Sequence, residues 1–129
     1  MAKRTRSASA TSARAAQPHM LRGQVWVEVG GKPALTEAGA DLLEQIEISG
    51  SLSEAARRLR FSYRRAWMLL DAMNTRWPSA VVITATGGHH GGGAKLTELG
   101  QHVLRTYRDL QLQLEHLLDS AGDPFVPVP

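Results

Sequence analysis

Two serines eleven residues apart, Ser51 and Ser62, set the tightest limit on what this chain folds into. Ser51-Leu52-Ser53-Glu54 fits a capping box, in which the Ser51 hydroxyl and the Glu54 carboxylate each satisfy an amide left open at a helix start. The helix it opens spaces Leu52, Ala55, Ala56 and Leu59 at i, i+3, i+4 and i+7, so one face is buried. Arg60-Phe61 is the connector, and Ser62 caps a second helix. There Tyr63, Ala66, Trp67, Leu70 and Met73 make the inward stripe, while Arg64, Arg65, Met68, Asp71 and Ala72 lie on or near the outward face. Two helices joined by a three- or four-residue turn, with arginine on the second, form the helix-turn-helix pattern.

The flanks extend that pattern. Arg22 to Val29 alternate, with Val25, Val27 and Val29 on one face and Trp26 and Glu28 on the other, which predicts a half-buried strand ending at a Gly30-Gly31 turn. Thr36 is an N-cap for a helix running to about Ile48, with Leu42, Leu43 and Ile46 as its apolar stripe, and Gly50 terminates it. Val81–Ala85 and Ala94-Lys95-Leu96 read as two strands around a glycine-rich loop, a hairpin wing. A last helix starts at Thr97 and runs to about Ser120. Its Val103, Tyr107, Leu110, Leu114 and Leu117 recur at alternating steps of four and three, a seam that calls for a partner helix. The order predicts a fold that is mainly α with a small β wing: a winged helix-turn-helix with a long C-terminal dimerisation helix. Residues 1–19 read as a disordered basic tail, 20–120 as the winged domain with its dimerisation helix at 97–120, and 121–129 as a flexible tail.

Charge is concentrated rather than large. The formal total is +3. Residues 57–76 hold six arginines against Asp71 alone, and residues 1–19 hold four basic side chains and no acid. Local field, not the sum, recruits a polyanion. Glu37, Asp41, Glu44 and Glu47 on the first helix read as a solvated acidic face.

These segments resemble a known family. Ser49-Gly50-Ser51-Leu52-Ser53-Glu54-Ala55-Ala56 is similar to the opening of the helix-turn-helix in ModE-type molybdate-responsive regulators. Ser62-Tyr63-Arg64-Arg65-Ala66-Trp67, with Met73-Asn74 downstream, resembles their recognition helix. Thr86-Gly87-Gly88, Gly91-Gly92-Gly93-Ala94, Leu96-Thr97 and Gly100 are similar to their wing. The resemblance covers about residues 22 to 118 and implies a transcriptional regulator that binds double-stranded DNA, at an inverted repeat, as a homodimer. Full-length members of that family carry C-terminal oxyanion-binding domains. None is recognised after the last helix here, so the expectation is DNA binding without molybdate binding by this chain.

The candidate DNA contacts follow from these positions. Ser62, Tyr63, Arg64 and Arg65 stand where a helix entering the major groove meets base edges or phosphates, and an arginine fork grips guanine O6 and N7. Tyr63 is expected to join the core while its hydroxyl reaches a phosphate. Ser51 and Ser53 start a helix whose open amides suit a phosphate as well as a cap. Arg57, Arg58 and Arg60 face the backbone more than bases. Thr86, Gly87, Gly88, His89, His90 and Lys95 complete the set on the wing, where five glycines within seven residues permit close backbone approach.

Other chemistries find little support. Without cysteine there is no disulfide, thiolate metal site or cysteine nucleophile. The glycine loop is no P-loop, since Ala94 stands where the lysine is required. None of the five histidines has an acid–base partner at local spacing, so no catalytic residue, metal site or cofactor is expected. No apolar run is long enough to span a membrane or serve as a signal peptide, which predicts a cytoplasmic protein. Two other classes remain: a protein-interaction module on the same scaffold, and an oxyanion-binding protein using the glycine-rich loop.

Overall fold

A computed structural model describes residues 17–85 and 93–127. Most of the basic N-terminal tail and the wing tip, including Thr86, Gly87, Gly88, His89 and His90, therefore lie outside the described residues. The order is β1 (Val27–Val29), β2 (Lys32–Leu35), α1 (Glu37–Ser49), α2 (Leu52–Leu59), α3 (Tyr63–Arg76), β3 (Val82–Thr84), β4 (Ala94–Leu96) and α4 (Glu98–Ala121). It is a mainly α winged helix-turn-helix. Two compact units are distinguished: Gln24–Leu114, which holds both strand pairs and three whole helices, and a second of residues up to Gly23 with Glu115–Pro129.

Local capping explains the helix boundaries. The Thr36 hydroxyl accepts from the Gly39 amide at 3.2 Å, and Gly50 ends α1 in the left-handed region at φ 70°, donating to the Ile46 carbonyl. A side chain at that φ is strained, so glycine belongs there. The Gly50 carbonyl then accepts from the Ala94 amide at 2.9 Å, tying the α1–α2 corner to the wing. Arg60 ends α2 at φ 59°, the one non-glycine residue at positive φ among the described residues.

Inside Gln24–Leu114 the core is one cluster. Leu42, Leu43 and Ile46 of α1 meet Ala55 and Ala56 of α2, Ala66, Leu70 and Met73 of α3, Val81, Val82 and Leu96 of the wing, and Val103, Leu104 and Tyr107 of α4. Each large aliphatic group removed from water there contributes about 1.5–3 kcal/mol. At Gly100, an added Cβ would stand 2.0 Å from the Val81 carbonyl oxygen, so α4 crosses the wing root at backbone contact.

Several expectations need correction. A second strand, β2, follows the Gly30-Gly31 turn and pairs antiparallel with β1. Lys32-Pro33-Ala34-Leu35 carries no alternation to announce it, and its proline is tolerated because a two-stranded sheet has only edges. The register shifts between Val27 and Glu28, and Val29 beyond it is exposed while Val25 and Val27 pack on the core.

The acidic face of α1 is not simply solvated. Arg108 of α4 donates to Asp41 at 2.8 Å and to Glu44 at 3.1 Å. Arg105 stands 3.9 Å from Glu47. The proposed dimer seam also narrows. Val103 and Tyr107 are buried within the unit, and the Tyr107 hydroxyl donates to the Val25 carbonyl at 2.6 Å. Half-buried Leu114 and exposed Leu110 and Leu117 remain.

In the second unit, Asp123 accepts from the His19 amide at 2.6 Å and from the Phe125 amide at 3.1 Å. The imidazole of His19 lies against the Phe125 ring, with centroids 5.6 Å apart. The segment after α4 thus has a local anchor.

Candidate nucleic-acid interface

The start of α3 is organised by Ser62, whose hydroxyl accepts from the Arg65 amide at 3.0 Å. With Ala66, Leu70 and Met73 buried beneath, this cap turns Arg64 and Arg65 outward. The Arg65 guanidinium is held over the Phe61 ring at 4.1 Å, a cation–π contact that fixes its direction. Among the described residues, no hydrogen bond or ion pair engages the Arg64 guanidinium.

Tyr63 and Trp67 depart from the expected inward stripe: they are 54% and 46% exposed. Successive residues of a helix lie 100° apart, and Trp67 follows directly on buried Ala66, which carries it off a stripe as narrow as Ala66-Leu70-Met73. Tyr63 sits in the first turn, ahead of the first buried residue. The helix therefore presents two aromatic side chains in addition to its arginines.

The α2 start is half of the expected box. Ser51 Oγ accepts from the Glu54 amide at 3.2 Å, but the Ser51 amide donates to Ser49 Oγ. The Glu54 carboxylate turns instead to Arg57 (Nε at 3.0 Å) and Arg58, on the next turn of the helix. The Arg57 hydrogen bond foremost, with Arg58 and against some desolvation, holds the Glu54 carboxyl below its ordinary range. Arg57 thus shares its charge with an internal partner, as Arg64 does not. Ser53 is exposed, its hydroxyl 3.1 Å from that of Ser51.

The wing root is positioned by a residue to which the sequence pattern assigns no role. Asn74 Oδ1 accepts from the amides of Val81 and Val82 at 2.8 and 3.2 Å, and its Nδ2 donates to the Val82 carbonyl at 3.1 Å. The sequence marks Asn74 in two ways: Met73-Asn74 belongs to the stretch that resembles the ModE-type recognition helix, and an amide side chain in the last turns of a helix competes for backbone partners. Thr97 completes the root: its amide donates to the Val81 carbonyl, its hydroxyl to the Ala80 carbonyl, and it caps α4 through Gly100. In the β3–β4 ladder Lys95 opposes Ile83 on the exposed side. A concavity of about 270 Å³ joins Gly50, Thr84, Gly93 and Lys95, so the wing stem and the corner before Ser51 share one surface.

Of the predicted contacts, the structure places Ser62, Tyr63, Arg64 and Arg65 together on α3. Ser51 and Ser53 sit at the α2 start, Arg57 lies in the last turn of α2, and Lys95 is on the wing stem. Among the described residues no group of three or more His, Asp or Glu is arranged to hold a metal ion. No described helix is long and apolar enough to cross a membrane.

No protein-family model matches the chain. Individual relatives do. The molybdenum transport protein ModE of Azotobacter vinelandii is 38% identical over 90 residues, which is 70% of this chain and 33% of that protein. The DNA-binding transcriptional dual regulator ModE of Escherichia coli K12 is 42% identical over 74 residues, 57% of this chain and 28% of that one. The molybdenum-pterin-binding protein MopB of Rhodobacter capsulatus is 40% identical over 79 residues, 61% and 29%. A solved structure of a point mutant of Lactococcus lactis ZitR overlaps 92% of this chain and 82% of its own at a TM-score of 0.49 and 18% identity. The matched stretch of this chain is related to ModE-type regulators, of whose length it spans about one third.

Proposed function

We propose that this chain is a DNA-binding transcriptional regulator of the ModE type, with α3 as its major-groove helix. The observation that carries the reading is the start of α3, where a buried stripe of Ala66, Leu70 and Met73 supports outward Arg64 and Arg65 behind the Ser62 cap. A helix seated this way offers bidentate forks to guanine edges while its opposite face stays in the core. The α2 start with Ser51 and Ser53, and the wing stem with Lys95, supply flanking contacts to phosphates. The wing residues Thr86, Gly87, Gly88, His89 and His90 extend those contacts in this reading. The names of the relatives, regulators among them, support the same function.

The regulator acts as a homodimer in this reading. Exposed Leu110 and Leu117, with half-buried Leu114, recur along α4 at the spacing of a helix–helix seam. Two recognition helices related by a two-fold then read an inverted repeat.

The test is selection of bound duplexes from a random DNA library with the purified protein, with and without molybdate. An inverted repeat with half-sites about one helical turn apart is the expected product. Equal enrichment in both arms would show that these 129 residues need no oxyanion to bind. Absence of enrichment from a folded protein overturns the reading and favours a protein-interaction module, to which exposed Tyr63, Trp67 and Met68 would also be suited.

A further inference from the structure

The outward face of α3 is not uniformly polar. Ser62, Arg64, Arg65, Met68, Leu69 and Ala72 line a concavity of about 430 Å³. Residues 65, 68, 69 and 72 follow the i, i+3, i+4, i+7 spacing, so they form one stripe along the helix. The floor of the stripe is apolar: Met68 is 62% exposed, Ala72 is exposed and Leu69 half-buried. Its rim carries two guanidinium groups and a hydroxyl, and Arg65 is held in place there by the Phe61 ring.

A ligand for this face must place an apolar group against Met68 with hydrogen-bond acceptors or anions on either side. A purely apolar peptide segment leaves both cations without acceptors. In the major groove the base edges offer donors, acceptors and a single apolar group, the thymine C5-methyl, and guanine N7 and O6 or phosphate oxygens lie alongside it. Methionine is the side chain suited to an irregular apolar contact, being unbranched and polarisable.

We propose that Met68, with Leu69 and Ala72, forms a receptor for a thymine methyl group, and that Arg64 and Arg65 engage acceptors on the adjacent step. Met68 is thereby a specificity-determining residue. The proposal rests on the reading of α3 as a major-groove helix and names one feature of the sequence it selects.

The experiment uses the full chain and a duplex recovered by selection, in which each thymine is replaced in turn by deoxyuridine, removing only the methyl. Affinity is followed by fluorescence anisotropy. One thymine per half-site should show a loss of about fourfold, the value of one buried methyl-sized group. In Met68→Gln the distinction between thymine and uracil at that position should disappear, while the melting temperature stays near that of the parent because the side chain is exposed.

Two outcomes overturn the proposal: no thymine in the half-site is sensitive to loss of its methyl, or a sensitive one remains so in Met68→Gln. In both cases the parent protein still binds the duplex, so the reading of α3 survives. Failure of the parent chain to bind any selected duplex would instead remove that reading and this one with it.

Discussion

Asn74 treats Val82 as a neighbouring strand would: Oδ1 takes the Val82 amide at 3.2 Å and Nδ2 gives to the Val82 carbonyl at 3.1 Å. One side chain on α3 thereby sets where β3 leaves the helical core. The wing and α3 are registered to each other by this amide, not by apolar packing alone.

Asn74→Ala should therefore cost about 1–3 kcal/mol of stability, because the part-buried Val81 and Val82 amides lose their acceptor. Asn74→Asp keeps the acceptor, loses the donor and places a charge beside the Val82 carbonyl, so it should rescue only partly. Urea unfolding of the three proteins checks the ranking. An alanine variant as stable as the parent would show that Asn74 does not hold the wing root.

The contact at Gly100 gives a second prediction. Any Cβ there meets the Val81 carbonyl at 2.0 Å, and a backbone atom cannot swing aside as a side-chain tip can. Gly100→Ala should destabilise by at least the roughly 1–3 kcal/mol typical of overpacking, despite alanine's better helix propensity. Glu98→Ala, at an exposed position of the same turn, should stay within about 0.5 kcal/mol. Thermal melts of the pair separate the close approach from helix propensity.

Helix boundaries are legible in the sequence, whereas the width of a buried stripe and the long-range pairings are not. Caps and breakers are local chemistry, so Thr36, Gly50, Ser51, Ser62 and Thr97 delimit helices from their side chains and neighbours alone. Periodicity identifies a buried stripe but not its width. On α3 it overextended the stripe to Tyr63 and Trp67, because both sit at helical spacing from residues that are buried. On α4 it merged two functions into one seam. Val103 and Tyr107 close the core, and only the partner elements Val25 and α1 reveal that. The pairing of Arg108 with Asp41 and Glu44 spans more than sixty residues of sequence, so no local pattern contains it. Strand β2 was invisible because its pairing, not its composition, makes it a strand.

Tyr107 carries a pH dependence. Burial foremost, with the charges of Glu37 and Asp41 and against that of Arg108, raises its phenol above the ordinary value of 10.0. Between that value and the raised one, the folded state holds more protons than the unfolded state, so stability falls as pH rises. The contribution is complete below about pH 10 and is lost on passing through the raised value. Tyr107→Phe should lose about 1 kcal/mol at neutral pH with its bond to Val25, and should show a shallower alkaline decline. Urea midpoints from pH 8 to 11 test it. A parallel decline in both proteins would remove Tyr107 as the source.

Arg60 holds a left-handed conformation without being glycine. That geometry costs an L-residue about 1–2 kcal/mol, partly offset by glycine's greater freedom in the unfolded chain. Arg60→Gly should raise stability by about 0.5–1 kcal/mol. If Arg60 also meets a phosphate, the same variant should lower the slope of log affinity against log salt by about one. Stability and salt slope are independent readouts, and a loss of stability would show that the arginine side chain outweighs the strain.

Arg64 and Arg57 differ in a way that sorts specific from positional contacts. Arg57 already donates to Glu54, whereas no described residue engages the Arg64 guanidinium at the head of α3. Arg64→Ala should leave stability within about 0.5 kcal/mol and weaken binding to a selected duplex by about 1–3 kcal/mol, with relaxed choice at one base pair. Arg57→Ala should weaken selected and unrelated duplexes alike, and by less, because its Glu54 partner already competes for the charge. For the parent, six or more neutralised phosphates would reduce affinity about a thousandfold between roughly 50 and 200 mM salt. Titrating both variants against a selected and a scrambled duplex at several salt concentrations distinguishes the roles. Equal losses on the two duplexes for Arg64→Ala would assign Arg64 to the phosphates and move base reading to Arg65.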